Sequence, residues 1–360
     1  MKHYLLLVLT ICFYIASALQ ATKTKNVFIV TIDGIRWQEI FKGADQEIIN
    51  NSRYTSDVSL AKMMYLDSSV EQNRKKLLPF FWNVIEQQGR PYGNREHKNK
   101  VNVFNGYKFS YPGYNEILSG YADIRVTSNE PENNLNINVL EFLNSIEEFN
   151  NKIAAFTSWD IFPYILNKER SGVPIYSGYD SVAENDDFDL HIFNKAQENL
   201  IPEKGSTRMD ILTFIAASEY IKVNKPKVVY IGFGECDEDA HNGEYDKYLQ
   251  HLNEADKMIQ QLWYYIQSTP EYKDKSTLII TTDHGRGKKK NKWTDHDVLV
   301  KGSGDTWIAI MGPDTSPKGE MQLPQQLYQR QIASTISLLL GFNFTANHPV
   351  SVPLDFIGTR

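Results

Sequence analysis

The sequence predicts an α/β fold, with a mostly parallel central sheet and helices on both faces. Three observations predict it. Short, nearly continuous β-branched runs recur along the 360 residues, as expected of strands buried on both faces of a parallel sheet. Stretches with helical apolar spacing separate these runs, and that alternation builds an α/β layer fold. Three of the runs lead into acidic residues, at the edge where such sheets collect ligands.

The elements follow in order. Lys2 and His3 precede an apolar run from Tyr4 to Ile15 and then Ala16, Ser17 and Ala18. This predicts a cleaved secretory signal over 1–20, cut after Ala18 or Gln20; the run is shorter than the roughly 20 apolar residues of a membrane span. Cys12 leaves with that segment and Cys236 remains alone. An exported, periplasmic or secreted protein without an internal disulfide is therefore expected. The remainder, 21–360, reads as one domain. Val27 to Ile32 is its first strand and ends at Asp33. Residues 130–207 are polar and Asn-rich and read as a cap or lid inserted within the domain, although Ile153 to Phe156 inside them looks like a strand. Met209 to Ile221 is a helix, and Val228 to Phe233 a strand that leads to Glu235 and Asp237. From Tyr248 the apolar positions Leu252, Ala255, Ile259, Leu262 and Ile266 mark a helix that Pro270 ends. Thr277 to Thr282 is a strand ending at Asp283, Trp307 to Met311 is another, and a helix from Gln329 to Leu340 closes the domain.

The net charge of −6 argues against a nucleic-acid duplex as partner and against stable membrane association after the signal is removed. The lysines at 288, 289, 290 and 292 form a local basic loop, and such a charge run is most simply a solvated face.

The chemistry lies at the strand ends. Asp33, Asp237, His241, Asp283, His284 and His296 combine carboxylate oxygen with imidazole nitrogen, a zinc-type donor set. The Asp237-x-x-x-His241 spacing puts both side chains on one side of a helical turn. Taken singly, Asp33 reads as a helix N-cap and His241 as a surface histidine; their joint occurrence at strand ends carries the metal reading. In FSYPGYNEILSG, Ser110 caps a short helix over Gly113 to Ser119, with Pro112 at its start. The same geometry suits a nucleophile. A helix N-terminus favours a phosphate, and a neighbouring zinc lowers the pKa of the hydroxyl.

The ordered set Asp33, Ser110, Asp237, His241, Asp283, His284, His296 resembles the alkaline phosphatase superfamily, and within it the type I phosphodiesterase/nucleotide pyrophosphatase branch. Ser110-Tyr111-Pro112-Gly113-Tyr114 stands where that branch has Thr-Phe-Pro-Asn-His, and Ser119-Gly120 where it has Thr-Gly. Cys236-Asp237-Glu238-Asp239-Ala240-His241 matches Pro-Asp-x-x-Gly-His, and Thr282-Asp283-His284-Gly285 matches Ser-Asp-His-Gly. The similarity runs from about Asn26 to Phe342. It implies two zinc ions about 4 Å apart, one held by Asp33, Ser110, Asp283 and His284, the other by Asp237, His241 and His296. It implies hydrolysis of a small-molecule phosphate ester, mono- or diester, through a phosphorylated Ser110. Asn129 falls near the branch's oxyanion-contacting Asn, with Asn115 as the alternative substrate contact. Arg36 and Trp37, one turn beyond Asp33, are further candidates for the phosphate and the leaving-group ring.

Two other readings stand beside this one. Sulfatases carry a Ser-x-Pro site but follow it with Arg, where this chain has Tyr114, and they use an oxygen-rich calcium site. The other is a zinc-holding binding protein without catalysis.

Overall fold

The computed structural model describes residues 22–183, 188–199 and 207–355; the expected signal segment 1–20 lies outside the described residues. A seven-stranded sheet runs in the order β2-β9-β7-β1-β6-β4-β5. Its strands are β1 (Asn26–Ile32), β2 (Gly89–Tyr92), β4 (Ile153–Thr157), β5 (Ile175–Ser177), β6 (Val228–Phe233), β7 (Ser276–Thr281) and β9 (Ile308–Met311). Only β9 runs against the rest: β7, β1, β6, β4 and β5 pair in parallel, and β9 pairs antiparallel with both β7 and β2. A small second sheet joins β10 (Gln325–Tyr328), β3 (Asn99–Asn102) and β8 (Asp305–Thr306).

The alternation along the central strands explains why their sequences are apolar throughout. Phe28, Val30 and Ile32 of β1 enter one core with Val229, Ile231, Leu278 and Ile280. Val27 and Ile29 enter the opposite core with Val228, Tyr230 and Ile279. Successive side chains leave a strand on opposite faces, so a sheet covered on both sides has no polar position to spare. The Tyr245–Ser268 helix covers the first face through Leu249, Leu252, Ile259 and Ile266. The Ser110–Ser119 and Ile332–Leu339 helices cover the second through Tyr114, Ile117, Ile332 and Ile336.

The stretch 130–207, expected as a cap or lid, is divided differently. Its strands β4 and β5 complete one side of the central sheet, and its Val139–Asn144 helix packs in the second core. Several of the asparagines that made it look like a solvated loop are buried, Asn134, Asn136, Asn138, Asn144 and Asn167 among them. Asn134, Asn138 and Asn144 donate to the carbonyls of Ile165, Leu166 and Ser171 at 3.2, 3.0 and 3.1 Å. Their amides satisfy backbone that irregular structure leaves unpaired, so a polar composition here marks interior loops.

Candidate active site

Strands β7, β1 and β6 are parallel neighbours, so their carboxyl ends bring Asp283, Asp33 and the start of the Glu235–Asn242 helix to one edge. That helix carries Asp237 and His241. The chain passes from Asp33 through Gly34 at φ +64°, where a Cβ would run into Asp237 Oδ1. Glycine is needed there both for the left-handed backbone and for the close approach. Gly34 N–H donates to Asp283 Oδ1 at 3.1 Å.

Ser110 arrives from the opposite face of the sheet. It is the first residue of its helix; the cap is Phe109, and no side chain caps the terminus. Ser110 is therefore not the capping residue the sequence suggested: its hydroxyl is used elsewhere, with Oγ 3.3 Å from His284 Nε2. The helix sits close because Gly113 has no side chain; a Cβ there would lie 2.6 Å from the Asp283 carbonyl oxygen. Tyr114 then donates its hydroxyl to Asp33 Oδ2 at 2.9 Å. The Gly113-Tyr114 pair thus has a structural account: the glycine gives access and the tyrosine orients a carboxylate.

The histidines are set up as metal donors. Nδ1 of His284 lies 3.0 Å from the Gly285 carbonyl oxygen and Nδ1 of His296 3.3 Å from that of Lys108. A proton on each Nδ1 leaves the Nε2 lone pair bare. His284 Nε2 stands 3.4 Å from Asp33 Oδ1 and 3.4 Å from Asp283 Oδ2. His241 Nε2 stands 3.0 Å from His296 Nε2 and 3.1 Å from Asp237 Oδ2. Four donors about 2.0–2.2 Å from a tetrahedral ion lie roughly 3.3–3.6 Å from one another, so the first cluster has the spacing of a ligand shell and the second is a few tenths of an ångström tighter. Asp33 Oδ1 and Asp283 Oδ2 are buried and accept no hydrogen bond, a costly arrangement unless a cation faces them. Burial, then repulsion from Asp283 and Asp237, pushes the Asp33 carboxyl well above its usual range. Burial and Asp237 push Asp283 up to about 7. Burial pushes His296 down to about 4 and His284 well below its ordinary value, so both imidazoles are neutral donors at neutral pH. These residues fit divalent ions.

Two residues that sequence reasoning missed complete the site. Burial opposes ionisation of Asp237, but the Arg286 guanidinium, with His241, holds its carboxyl well below the usual range. Arg286 pairs with Asp237 Oδ1 and also reaches the Thr294 carbonyl. It sits in TTDHGRG, two residues beyond His284, but no local pattern names Asp237 as its partner. Trp293 is fully buried among Tyr54, Tyr245 and Tyr248, with ring centroids 5.6, 4.9 and 5.6 Å away. This aromatic cage anchors the loop that delivers His296.

A cleft of about 200 Å³ opens over the cluster, lined by Asp33, Ser110, Asp237 and His241 together with Asn129, Trp159, Thr207, Gly234 and Glu238. Asn129 lines this cleft: its Oδ1 accepts from Tyr111 N–H at 2.9 Å, one residue beyond Ser110. Three other candidates do not. Asn115 is buried, donates to the Tyr121 carbonyl and accepts from Asn134 and Asn136, so it pins loops behind the helix. Arg36 is buried against Glu39, its (i, i+3) partner, which also accepts from Tyr245. Trp37 packs in the first core with Lys42 over its ring. The helix these two begin turns away from the cleft because the Arg36–Glu39 pair is satisfied inside the protein. The basic loop is largely paired: Lys288 with Asp305, Lys290 with Glu47 and Lys292 with Asp295.

The back of the ligand helix is held by charge. Asp210 accepts from the N–H groups of Gly234 and Glu235, and Glu235 accepts from that of Asp210, so two helix starts cap each other. His251 lies 2.6 Å from Asp239 and 3.5 Å from Glu235. Burial opposes its charge, yet Asp239 and Glu235 raise the imidazole to about 9; burial in turn keeps the Asp239 carboxyl above its usual range despite that partner. A histidine raised from 6.5 to about 9 stabilises the fold fully below pH 6.5 and loses that contribution as pH rises through 9. His251→Ala is expected to lower the unfolding free energy by about 1–3 kcal/mol at pH 6, with the deficit closing above pH 9. Denaturant melts across that range check this; a deficit independent of pH contradicts it.

A seven-stranded α/β sheet with clustered carboxylate and imidazole donors at its carboxyl edge defines the class as an α/β protein fitted to hold metal. Residues 193–300 match the family described as the Metalloenzyme superfamily. Among solved structures the chain is similar to the lipoteichoic acid synthase LtaP from Listeria monocytogenes (12% identity, 92% of this chain and 75% of that one, TM-score 0.57). It is similar to the alkaline phosphatase PafA (11%, 94% and 99%, TM-score 0.58). The phosphonate monoester hydrolase SpPMH from Silicibacter pomeroyi is a third (13%, 88% and 73%, TM-score 0.51). No curated protein matches the sequence. The family match is confined to 193–300, and the solved structures, the alkaline phosphatase PafA among them, share the fold of this chain.

Proposed function

We infer that the protein hydrolyses phosphate esters through a covalent intermediate on Ser110, with divalent ions, two zinc by donor chemistry, held by the residues described. The observation that carries this is the Ser110 hydroxyl, at the start of a ten-residue helix, 3.3 Å from His284 Nε2 and beside two unpartnered carboxylate oxygens. Asp33, Asp283, His284 and Ser110 would hold one ion, and Asp237, His241 and His296 the other. When bound, such ions acidify the serine hydroxyl and offset charge on the attacking and leaving oxygens. Ser110 Oγ attacks phosphorus as one ester P–O bond breaks and that alcohol leaves with the hydroxyl proton; water then attacks the phosphoryl group held on Ser110, breaking the Oγ–P bond, releasing the phosphate (from a diester, the remaining monoester) and restoring Ser110. Asn129, its oxygen held by the Tyr111 N–H, presents its amide to a non-bridging oxygen. Export to the periplasm or beyond is part of the same proposal.

The cleft favours a diester over a monoester. Among the described residues that line it there is no lysine or arginine, and Glu238 adds negative charge. A singly charged diester meets less repulsion there than a doubly charged monoester. Trp159, half-buried in the wall, offers a ring face to an organic substituent. Rates with bis-nitrophenyl phosphate, nitrophenyl phosphate and nitrophenyl sulfate, at equal concentration with zinc present, test this. The diester is expected to turn over at least about tenfold faster than either monoester. Fastest turnover of the sulfate replaces the phosphoester reading with a sulfatase, and no turnover of any leaves a metal-holding binding protein.

A further inference from the structure

We propose that the protein docks on an anionic lipid surface through the face beside its cleft. Four large apolar side chains are exposed there: Leu299 at 91%, Ile124 at 79%, Phe104 at 52% and Val298 at 45%. Isolated exposed apolar residues are ordinary; these converge on one segment, 104–109, that leads into Ser110. Tyr107 donates its hydroxyl to the Ile124 carbonyl at 2.7 Å, and Lys108 donates its ammonium to the Val298 carbonyl at 3.0 Å. The Lys108 carbonyl in turn faces His296 Nδ1 at 3.3 Å, so loops bearing both site residues carry the apolar tips.

Cations are interleaved with these tips. The Arg330 guanidinium lies 3.6 Å over the Phe104 ring. Lys301 follows the Val298–Leu299 tip in sequence, and its carbonyl accepts from Lys288 N–H at 3.0 Å. The Lys108 side chain runs alongside Gly304. Residues 288–305 hold five lysines against three aspartates, Asp295, Asp297 and Asp305, in a chain of net charge −6. Asp305 is matched by Lys288 and Arg95, and Asp123, beside Ile124, by Arg125. With Lys288, Lys290 and Lys292 paired to Asp305, Glu47 and Asp295, the positive charge of this face comes from Lys289, Lys301, Lys108 and Arg330, set against the whole-chain charge that argued against membranes. Exposed aliphatics among lysines and arginine complement a bilayer interface bearing anionic headgroups. A two-fold contact between copies through this face would set the cations against themselves. That the cleft then meets the phosphoester of a lipid rests on the phosphoester reading above; the docking itself does not.

The test is co-sedimentation of the full chain with vesicles of phosphatidylglycerol and phosphatidylcholine (1:1), and with pure phosphatidylcholine, at low and high salt. Binding to the anionic vesicles is expected, weakened by salt and at least about tenfold weaker for the Leu299→Asp/Ile124→Asp double variant. Turnover of soluble bis-nitrophenyl phosphate by that variant should stay within about twofold of wild type. No binding by the wild type, equal binding to both vesicle types, or undiminished binding by the variant overturns the proposal. A dimer that the same substitutions abolish, without vesicle binding, overturns it in favour of self-association. Vesicle binding without any ester turnover upholds it and removes the catalytic reading instead.

Discussion

Ser110→Ala is expected to lower turnover of a nitrophenyl diester by at least about 10³-fold, with metal content and melting temperature near those of wild type. The hydroxyl is small, caps nothing and contacts His284 alone among the described hydrogen bonds. The remaining donors of its cluster, Asp33, Asp283 and His284, lie within 4.8 Å of one another without it. Acid-quenched wild-type enzyme should carry the substrate's phosphoryl group, still esterified to its second substituent, on Ser110 and the variant none. A variant with wild-type rate removes the covalent mechanism. A variant that has lost its metal shows that Ser110 matters to the cluster as a ligand first.

His296→Ala is expected to leave about one ion per chain in place of two and to cut kcat by about 10²–10³-fold. Its Nε2 meets His241 Nε2 at 3.0 Å, and its ring stacks on His284 at 3.9 Å. Removing it leaves Asp237 and His241 as a pair, while the Asp33, Asp283 and His284 set is untouched. The Trp293 cage still anchors the loop, so the fold should persist. Metal analysis of both proteins decides this: two ions retained in the variant take His296 off the ligand set, and an active wild type free of metal removes the metal mechanism entirely.

How much of this was legible depends on the range of each interaction. The strands were readable because burial on both faces leaves a continuous apolar signature in a few consecutive residues. Val228 to Phe233 coincides with β6, and Thr277 to Thr282 is offset by one residue from β7. Donor types were readable too, since Asp33 follows β1 directly, Asp283 comes two residues after β7, and Asp237 lies in the helix that begins just past β6. Arg36 carried a local warning in Glu39 three residues on, the spacing of a helical ion pair; taken into account, it would have withdrawn Arg36 from the cleft. The asparagines of 130–207 gave the opposite signal from their role, because composition does not distinguish an amide facing water from one facing a buried carbonyl.

By itself, then, the sequence determined the α/β class, the strands and the kinds of donor at their ends. The order β7-β1-β6, the approach of Gly113 to Asp283, the Arg286–Asp237 pair and the gathering of Phe104, Ile124 and Leu299 around one segment were decided by the tertiary structure. Periodicity records whether a position is buried and on which side, over a window of a few residues. Which strand lies alongside, and which charge comes to face a carboxylate 49 positions away in the chain, follows from packing the two cores against a single sheet.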